Sequence, residues 1–111
     1  MEHFVWVNLL SDFYGQMLTE KQRQAIELYF GLDLSLSEIA EELGVSRQAV
    51  HDLLNRSQQT LEHYEQRLGL VDRFTTQQAR VVELYQLLQV LADESDSRWQ
   101  QVFALLGEIT K

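Results

Sequence analysis

Residues 35–57, SLSEIAEELGVSRQAVHDLLNRS, constrain the fold of this chain more than any other segment. A short apolar stripe at helical spacing ends at Gly44, and Gly is the residue that most readily adopts the left-handed conformation at a helix end. The stripe comprises Ile39, Ala40 and Leu43. Ser46 then follows as the candidate N-cap of a second helix. Two helices joined by a tight glycine turn predict a helix-turn-helix.

The second motif helix carries the candidate binding residues. Its apolar positions Val50, Leu53 and Leu54 predict a face turned to the core. Polar side chains remain for the outer face, and each of them can hydrogen-bond a phosphate or a base edge. These candidates are Arg47, Gln48, His51, Asn55 and Arg56. The arginines suit phosphate, the two amides suit a base edge, and the imidazole suits either.

The charge of the chain limits what this face can bind. Seventeen acidic residues against nine Lys and Arg give a formal net charge of -8 and a pI of about 4.7. Nucleic-acid binding depends on basic side chains that neutralise phosphates. The second motif helix places Asp52 among its candidates, and the first has three Glu and no base. This pattern favours a structured RNA or a basic protein surface over duplex DNA, and a solvated polar face is the plainer alternative.

The Gly and Pro content and the capping residues of the rest of the chain predict an all-α fold. There is no Pro, and the five Gly stand where helices are expected to stop, including Gly69 and Gly107. Thr19 and Gln22 have capping-box spacing, as do Ser35 and Glu38. We expect helices over residues 3–16, from residue 19 to residue 31, over the two motif segments, over 72–92, and from a cap at residue 97 onward. Residues 1–68 are predicted to form the helix-turn-helix domain, and residues 69–111 a helical extension.

The extension contains a second candidate surface. Its longer helix has an apolar stripe, and further apolar residues lie around the rest of that helix, which indicates burial on more than one side. The stripe and the following helix predict an interface formed by Val81, Leu84, Tyr85, Leu88, Leu91 and Trp99. Two explanations stay open: an interface with a second copy or with a partner protein, and packing against the last helix and back onto the first helix of the chain.

Other functional classes receive little support from the sequence. No Cys is present, which excludes disulfides and thiolate chemistry. The three His show no metal-ligand spacing, and no phosphate-binding glycine loop or nucleophile elbow occurs. We therefore expect no enzyme activity, no metal site and no cofactor. Without a signal peptide or a long apolar run, we expect a cytoplasmic protein that does not insert into membranes.

Two family resemblances rest on specific segments. The segment LTEKQRQAIELYFGLDLSLSEIAEELGVSRQAVHDLLNRSQQTL, residues 18–61, resembles region four of sigma factors. The chain as a whole resembles the YlxM-type helix-turn-helix proteins of bacteria, most specifically in LTEKQ and SRQAVHD. The resemblance implies an all-α fold, with a sigma-four-like motif followed by a helical C-terminal extension.

The YlxM-type resemblance also implies a pathway. In that family the gene commonly neighbours the gene of the signal recognition particle GTPase, and the family is proposed to take part in or regulate that pathway. The GTPase and its RNA are therefore the expected partners. Two alternatives stay open: a transcriptional regulator that binds DNA as a homodimer, and a protein-interaction module in which the motif is only a scaffold.

Overall fold

A computed structural model describes residues 2–93 and 95–109, and every regular element in that part of the chain is helical, which confirms the all-α prediction. The helices are α1 (His3–Tyr14), α2 (Glu20–Ile26), α3 (Leu36–Leu43), α4 (Arg47–Leu68), α5 (Leu70–Leu91) and α6 (Arg98–Ile109). A 3-10 turn, Gly15–Met17, follows α1, and a π-helical turn, Glu27–Gly31, extends α2.

The predicted caps are present at three helix starts. Thr19 and Gln22 form a reciprocal capping box at α2, with bonds of 3.0 and 3.2 Å. Ser35 and Glu38 do the same at α3, both at 3.1 Å. At α4 the hydroxyl of Ser46 accepts the amide of Ala49 at 3.0 Å. Each cap satisfies an amide that has no partner within its own helix, so these side chains set where α2, α3 and α4 begin.

Glycine ends α3 and α4 as predicted, but not α6. Gly44 and Gly69 have φ of 68° and 62°, the left-handed conformation that a Cβ would strain. Gly107 lies inside α6, which continues to Ile109, so the expectation of a helix end there was wrong. A Gly in a helix interior lowers the stability of the helix by about 1 kcal/mol relative to Ala, but it does not by itself end the helix.

The chain divides into two compact units. The motif unit runs to Val71 and the extension unit begins at Asp72. This boundary falls three residues after the one predicted at residue 68. The reason lies in the first turn of α5, because the backbone amides of Leu70 and Val71 donate to the Tyr14 hydroxyl and to the Glu65 carboxylate, both at 3.0 Å.

The motif unit encloses the main hydrophobic core. Side chains from α1, the α2 segment, α3, α4 and the start of α5 meet there, each at the spacing that places it on the inner side of its helix. The core comprises Val7, Leu10, Tyr14, Leu18, Ala25, Ile26, Phe30, Ile39, Ala40, Val50, Leu54, Leu61 and Val71. Ser57 is fully buried among them, and its hydroxyl donates to the Leu53 carbonyl at 2.7 Å.

The extension unit pairs the rest of α5 with α6. Tyr85 of α5 meets Phe103 of α6 edge to face, with ring centroids 5.0 Å apart. Within α6, the ring centroids of Trp99 and Phe103 are 6.3 Å apart. Among the described residues of this unit, only Leu106 is buried. At the start of α6 the Asp96 carboxylate accepts the Arg98 amide at 3.0 Å, one residue before the cap predicted at residue 97.

Candidate recognition surface of the helix-turn-helix

The motif turn places α4 so that its N-terminal half is open to solvent on one side. Ile39 and Ala40 of α3 and Val50 and Leu54 of α4 are buried together in the core. The left-handed Gly44 allows the Val45 amide to donate back to the Ala40 carbonyl at 3.0 Å, which closes the end of α3. The side of α4 opposite its buried residues therefore projects from the unit.

All five predicted contact residues lie on α4 and are exposed. At about 100° per residue, Arg47, His51 and Asn55 follow one another with small rotations around the helix. Gln48 lies beside them. Arg56, nine residues after Arg47, lies roughly 180° around the axis from it and about 13 Å further along. The two arginines therefore border the outer face on opposite sides and cannot clamp one phosphate together.

Asp52 occupies the centre of this face and engages two of the candidates. Its Oδ1 accepts a hydrogen bond from Gln48 Nε2 at 3.1 Å and lies 3.7 Å from His51 Nδ1. A carboxylate in this position repels a phosphate group and competes for the donors that would bind it. A basic partner would find the same carboxylate attractive.

The two arginines are available to a partner. Within residues 2–93 and 95–109, neither Arg47 nor Arg56 forms an ion pair with a carboxylate. Arg47 also lines a shallow depression with Leu36, Gln48 and His51, at the N-terminal end of α4. The N-terminal residues of a recognition helix are those that reach base edges in helix-turn-helix proteins.

The outer face continues beyond the predicted residues. Because α4 has 22 residues, it is about 33 Å long, far longer than the motif requires. A surface concavity further along it is lined by His3, Asn55, Gln58, Gln59, Glu62, His63 and Gln66. The contact residues predicted from the sequence end at Arg56 and do not include this amide-rich surface. The recurrence of Asn and Gln three, four and seven residues apart beyond Asn55 is the signal that could have found it.

Helix α1 borders this concavity and makes polar contacts with the long helix there. The Trp6 indole donates to Glu62 Oε1 at 2.6 Å, and a ring nitrogen of His3 lies 2.9 Å from Gln58 Oε1. Trp6 is half-buried, so it is a brace between helices rather than an exposed anchor. These contacts lie between residues more than fifty positions apart, and they attach the C-terminal half of α4 to α1.

A buried polar cluster fixes the point where α4 ends. The Tyr14 hydroxyl donates to Glu65 Oε1 at 2.6 Å and accepts the Leu70 amide, while Glu65 also accepts the Val71 amide. Burial raises the pKa of Tyr14 above its usual value of 10.0, and the hydrogen bond to Glu65 adds to the shift. The Tyr14 ring stacks against Tyr64 at 6.0 Å. The turn at Gly69 is thereby tied to α1.

The predicted interface stripe of the extension unit divides between two sides of α5. Tyr85 meets Phe103 of α6 and Val81 lines a groove with Leu106, while Leu88 and Trp99 are half-buried. Leu84 and Leu91 instead remain exposed. Leu87 and Val90, which the sequence pattern already placed around the rest of α5, are exposed, as are Leu105 and Ile109 of α6. Sequence periodicity could not separate the two groups because α5 is apolar around most of its circumference.

Within residues 2–93 and 95–109, every helix is too short or too polar to span a membrane.

The model of the UPF0122 family, described as "Putative helix-turn-helix protein, YlxM / p13 like", matches residues 1–103 of this chain. That description names a helix-turn-helix protein and no enzyme activity.

Curated relatives agree with the family model. A UPF0122 protein of Desulforamulus reducens is 54% identical over 88 residues, which are 79% of this chain and 75% of that protein. UPF0122 proteins of Bacillus mycoides strain KBAB4 and Bacillus cereus strain AH187 are 49% and 48% identical, each over 79% of this chain and 80% of the relative. With its helix-turn-helix fold and these matches, the chain belongs to the UPF0122 family of YlxM / p13 like proteins.

Proposed function

We propose that this protein is a regulatory or accessory component of the signal recognition particle pathway, which acts by contact of the α4 outer face with the particle's RNA or its GTPase. The pathway rests on the YlxM-type resemblance described above. The observation that supports contact as the mode of action is the exposed polar surface along α4, from Arg47 to the amide-rich concavity around Asn55. A large share of polar groups that are neutral and exposed suits recognition of a folded partner.

Charge supports a partner other than duplex DNA alone. The motif unit carries eleven acidic and five basic residues, a formal charge of -6. On α4 the Asp52 carboxylate lies between two of the candidate donors. A domain that binds duplex DNA without help usually presents several phosphate contacts on one face, and here Arg47 and Arg56 lie on opposite sides. A basic protein surface, or an RNA already held by one, supplies the charge that this face lacks.

Fluorescence anisotropy is the direct test. Labelled signal recognition particle RNA and a random DNA duplex would each be titrated with the protein at low and at physiological salt, with and without the purified GTPase. The proposal expects binding of the RNA, of the GTPase or of their complex, and no DNA binding that survives physiological salt. If the protein binds neither the RNA, nor the GTPase, nor their complex, the proposal is contradicted.

Two arginine variants localise the contact. Arg47→Ala should weaken binding roughly tenfold, the usual effect of removing a hydrogen bond to a charged group. Arg67→Ala is the matched control, because it removes the same charge from the exposed C-terminal end of the same helix. Equal losses in both variants would mean that general charge, and not the outer face, governs binding.

One observation favours a second candidate, a DNA-binding transcriptional regulator. Arg47, Gln48 and His51 surround a depression at the N-terminal end of α4, the position from which recognition helices read the major groove. This candidate requires DNA binding that persists at physiological salt and is lost in Arg47→Ala. A motif that serves only as a scaffold would leave every α4 variant without effect.

Asp52→Asn separates a phosphate-bearing partner from a basic protein. Removing this charge should tighten binding to RNA or DNA by roughly two- to tenfold, because it relieves repulsion of phosphates. Binding to a basic protein surface should instead weaken by a similar factor. Glu83→Gln, an exposed change of the same charge in the extension unit, is the control. An identical affinity for Asp52→Asn and wild type would exclude the centre of the outer face from the contact.

A further inference from the structure

The extension unit has an apolar side that its own two helices do not cover. Tyr85 of α5 meets Phe103 of α6. Val81 and Val82, which come earlier on α5, line a groove with Leu106 and Gly107, which come later on α6. The two helices are therefore antiparallel.

One side of this antiparallel pair is lined by large aliphatic residues. Successive residues of a helix lie about 100° apart around its axis. Measured from the positions that face the other helix, the exposed aliphatic residues of α5 and of α6 lie on the same side of the pair. We name this surface the aliphatic face, and it comprises Leu84, Leu87, Leu91, Leu105 and Ile109. The opposite side carries the groove lined by Val82 and Gly107.

The size of the aliphatic face is appropriate to a protein interface. Its five side chains retain between 47% and 70% of their surface. This amounts to roughly 400 Å² of apolar surface, within the range of the largest apolar patch on a typical soluble protein, which is often a functional site. A standard interface buries about 800 Å² on each partner, of which somewhat more than half is apolar. The face alone supplies most of the apolar part.

The extension unit also lacks a core of its own. Among its described residues only Leu106 is buried, whereas the motif unit buries side chains from every one of its helices. A unit of about 40 residues cannot usually enclose enough apolar surface to be stable without cross-links or a partner. Because the chain contains no Cys, disulfide cross-links are excluded here.

From these observations we propose that the aliphatic face binds the same face of a second copy of this chain, so that the protein is a homodimer joined through its extension units. A two-fold pair places the same patch on both sides, and aliphatic side chains are self-complementary. Charge favours this route, because the extension unit has six acidic and four basic residues, a formal charge of -2, against -6 for the motif unit.

The oligomeric state and its response to single substitutions test the proposal. Light scattering during size-exclusion chromatography, from micromolar to submillimolar protein, should give twice the 13.0 kDa mass of one chain. Leu87→Glu places a charge in the aliphatic face and should raise the dimer dissociation constant at least 30-fold, the effect of losing a central interface residue. Leu105→Glu, on the other helix, should do the same.

Val82→Glu is the matched control. Val82 lies on the same helix and is 50% exposed, close to the 59% of Leu87, but it faces the opposite side of the helix pair. It should leave the dimer intact, and circular dichroism should show equal helix content in all variants. A wild-type protein that stays monomeric at every concentration overturns the proposal. Dissociation by Val82→Glu with no effect of Leu87→Glu overturns it as well, and would place the interface on the groove side.

Discussion

The motif unit and the extension unit are built from the same kind of helix but differ in what encloses them. In the motif unit, Leu10, Ile39 and Leu61 are fully buried, and caps and polar braces fix the ends of its helices. In the extension unit, α5 and α6 meet along a narrow aromatic contact and leave the aliphatic face exposed. The comparison shows that an apolar helix surface is not the same as a core. A surface becomes a core only where enough helices surround it.

The largest expected effect compares the same substitution in both units. Leu10→Ala should lower the free energy of unfolding by about 2–5 kcal/mol, because it opens a cavity in a close-packed core. Leu87→Ala should cost less than about 1 kcal/mol at low protein concentration, since the side chain is exposed within one copy. Urea denaturation followed by circular dichroism measures both. Equal losses at low concentration would show that the extension unit has a core of its own.

A second comparison uses two tyrosines. Tyr14→Phe removes a buried hydroxyl that donates to Glu65 and accepts the Leu70 amide, so it should cost about 1–3 kcal/mol. Tyr85→Phe keeps the edge-to-face contact with Phe103 and should stay within about 0.5 kcal/mol of wild type. Thermal and urea unfolding of the two variants decide the point. A cost for Tyr85→Phe as large as that for Tyr14→Phe would reverse the comparison.

The same tyrosine predicts how stability responds to alkali. Because the pKa of Tyr14 in the folded protein is raised above the usual 10.0, its hydroxyl form is favoured by folding. Its contribution is complete below pH 10 and is lost as the pH rises through the raised value. The unfolding midpoint of the wild type should therefore fall more steeply above pH 10 than that of Tyr14→Phe. Parallel curves for the two proteins would exclude a role for this ionisation.

The smallest expected effect concerns helix caps. Ser46→Ala removes the side chain that accepts the Ala49 amide at the start of α4 and should cost about 0.5–2 kcal/mol. Ser97→Ala in the extension unit should cost less, because Asp96 accepts the first free amide of α6. Differential scanning calorimetry resolves the difference if both variants are measured at one concentration. A larger loss for Ser97→Ala would mean that residue 97 is the true cap of α6, as the sequence had suggested.

Much of the motif unit could be predicted because its signals are local. Capping boxes at Thr19 and Ser35 act over three residues, and Gly44 and Gly69 stand directly at helix ends. Exposure of the five candidate contact residues on α4 follows from helical spacing alone. Whether those residues bind RNA, DNA or protein stays a prediction, because a helix-turn-helix fold does not specify its partner.

The errors arise where a local signal had no nearby context to support it. Gly107 resembles a helix end in sequence, yet α6 passes through it. The predicted interface stripe stays a prediction, and it joins half-buried Val81 and Leu88 with exposed Leu84 and Leu91, because a helix apolar on several sides does not reveal which side meets its neighbour.

By itself, the sequence determined the all-helical fold, the caps of α2, α3 and α4 and the motif turn, since each cap and turn depends on residues within four positions of one another. Only the tertiary structure decided which distant groups meet. Tyr14 and Glu65 are 51 residues apart, and their hydrogen bond, together with the amides they accept, holds the start of α5 in the motif unit. It also decided that Leu84, Leu87 and Leu91 stay outside the α5–α6 contact. The physical reason is that packing depends on which surfaces are available to cover an apolar residue, and no short segment contains that information.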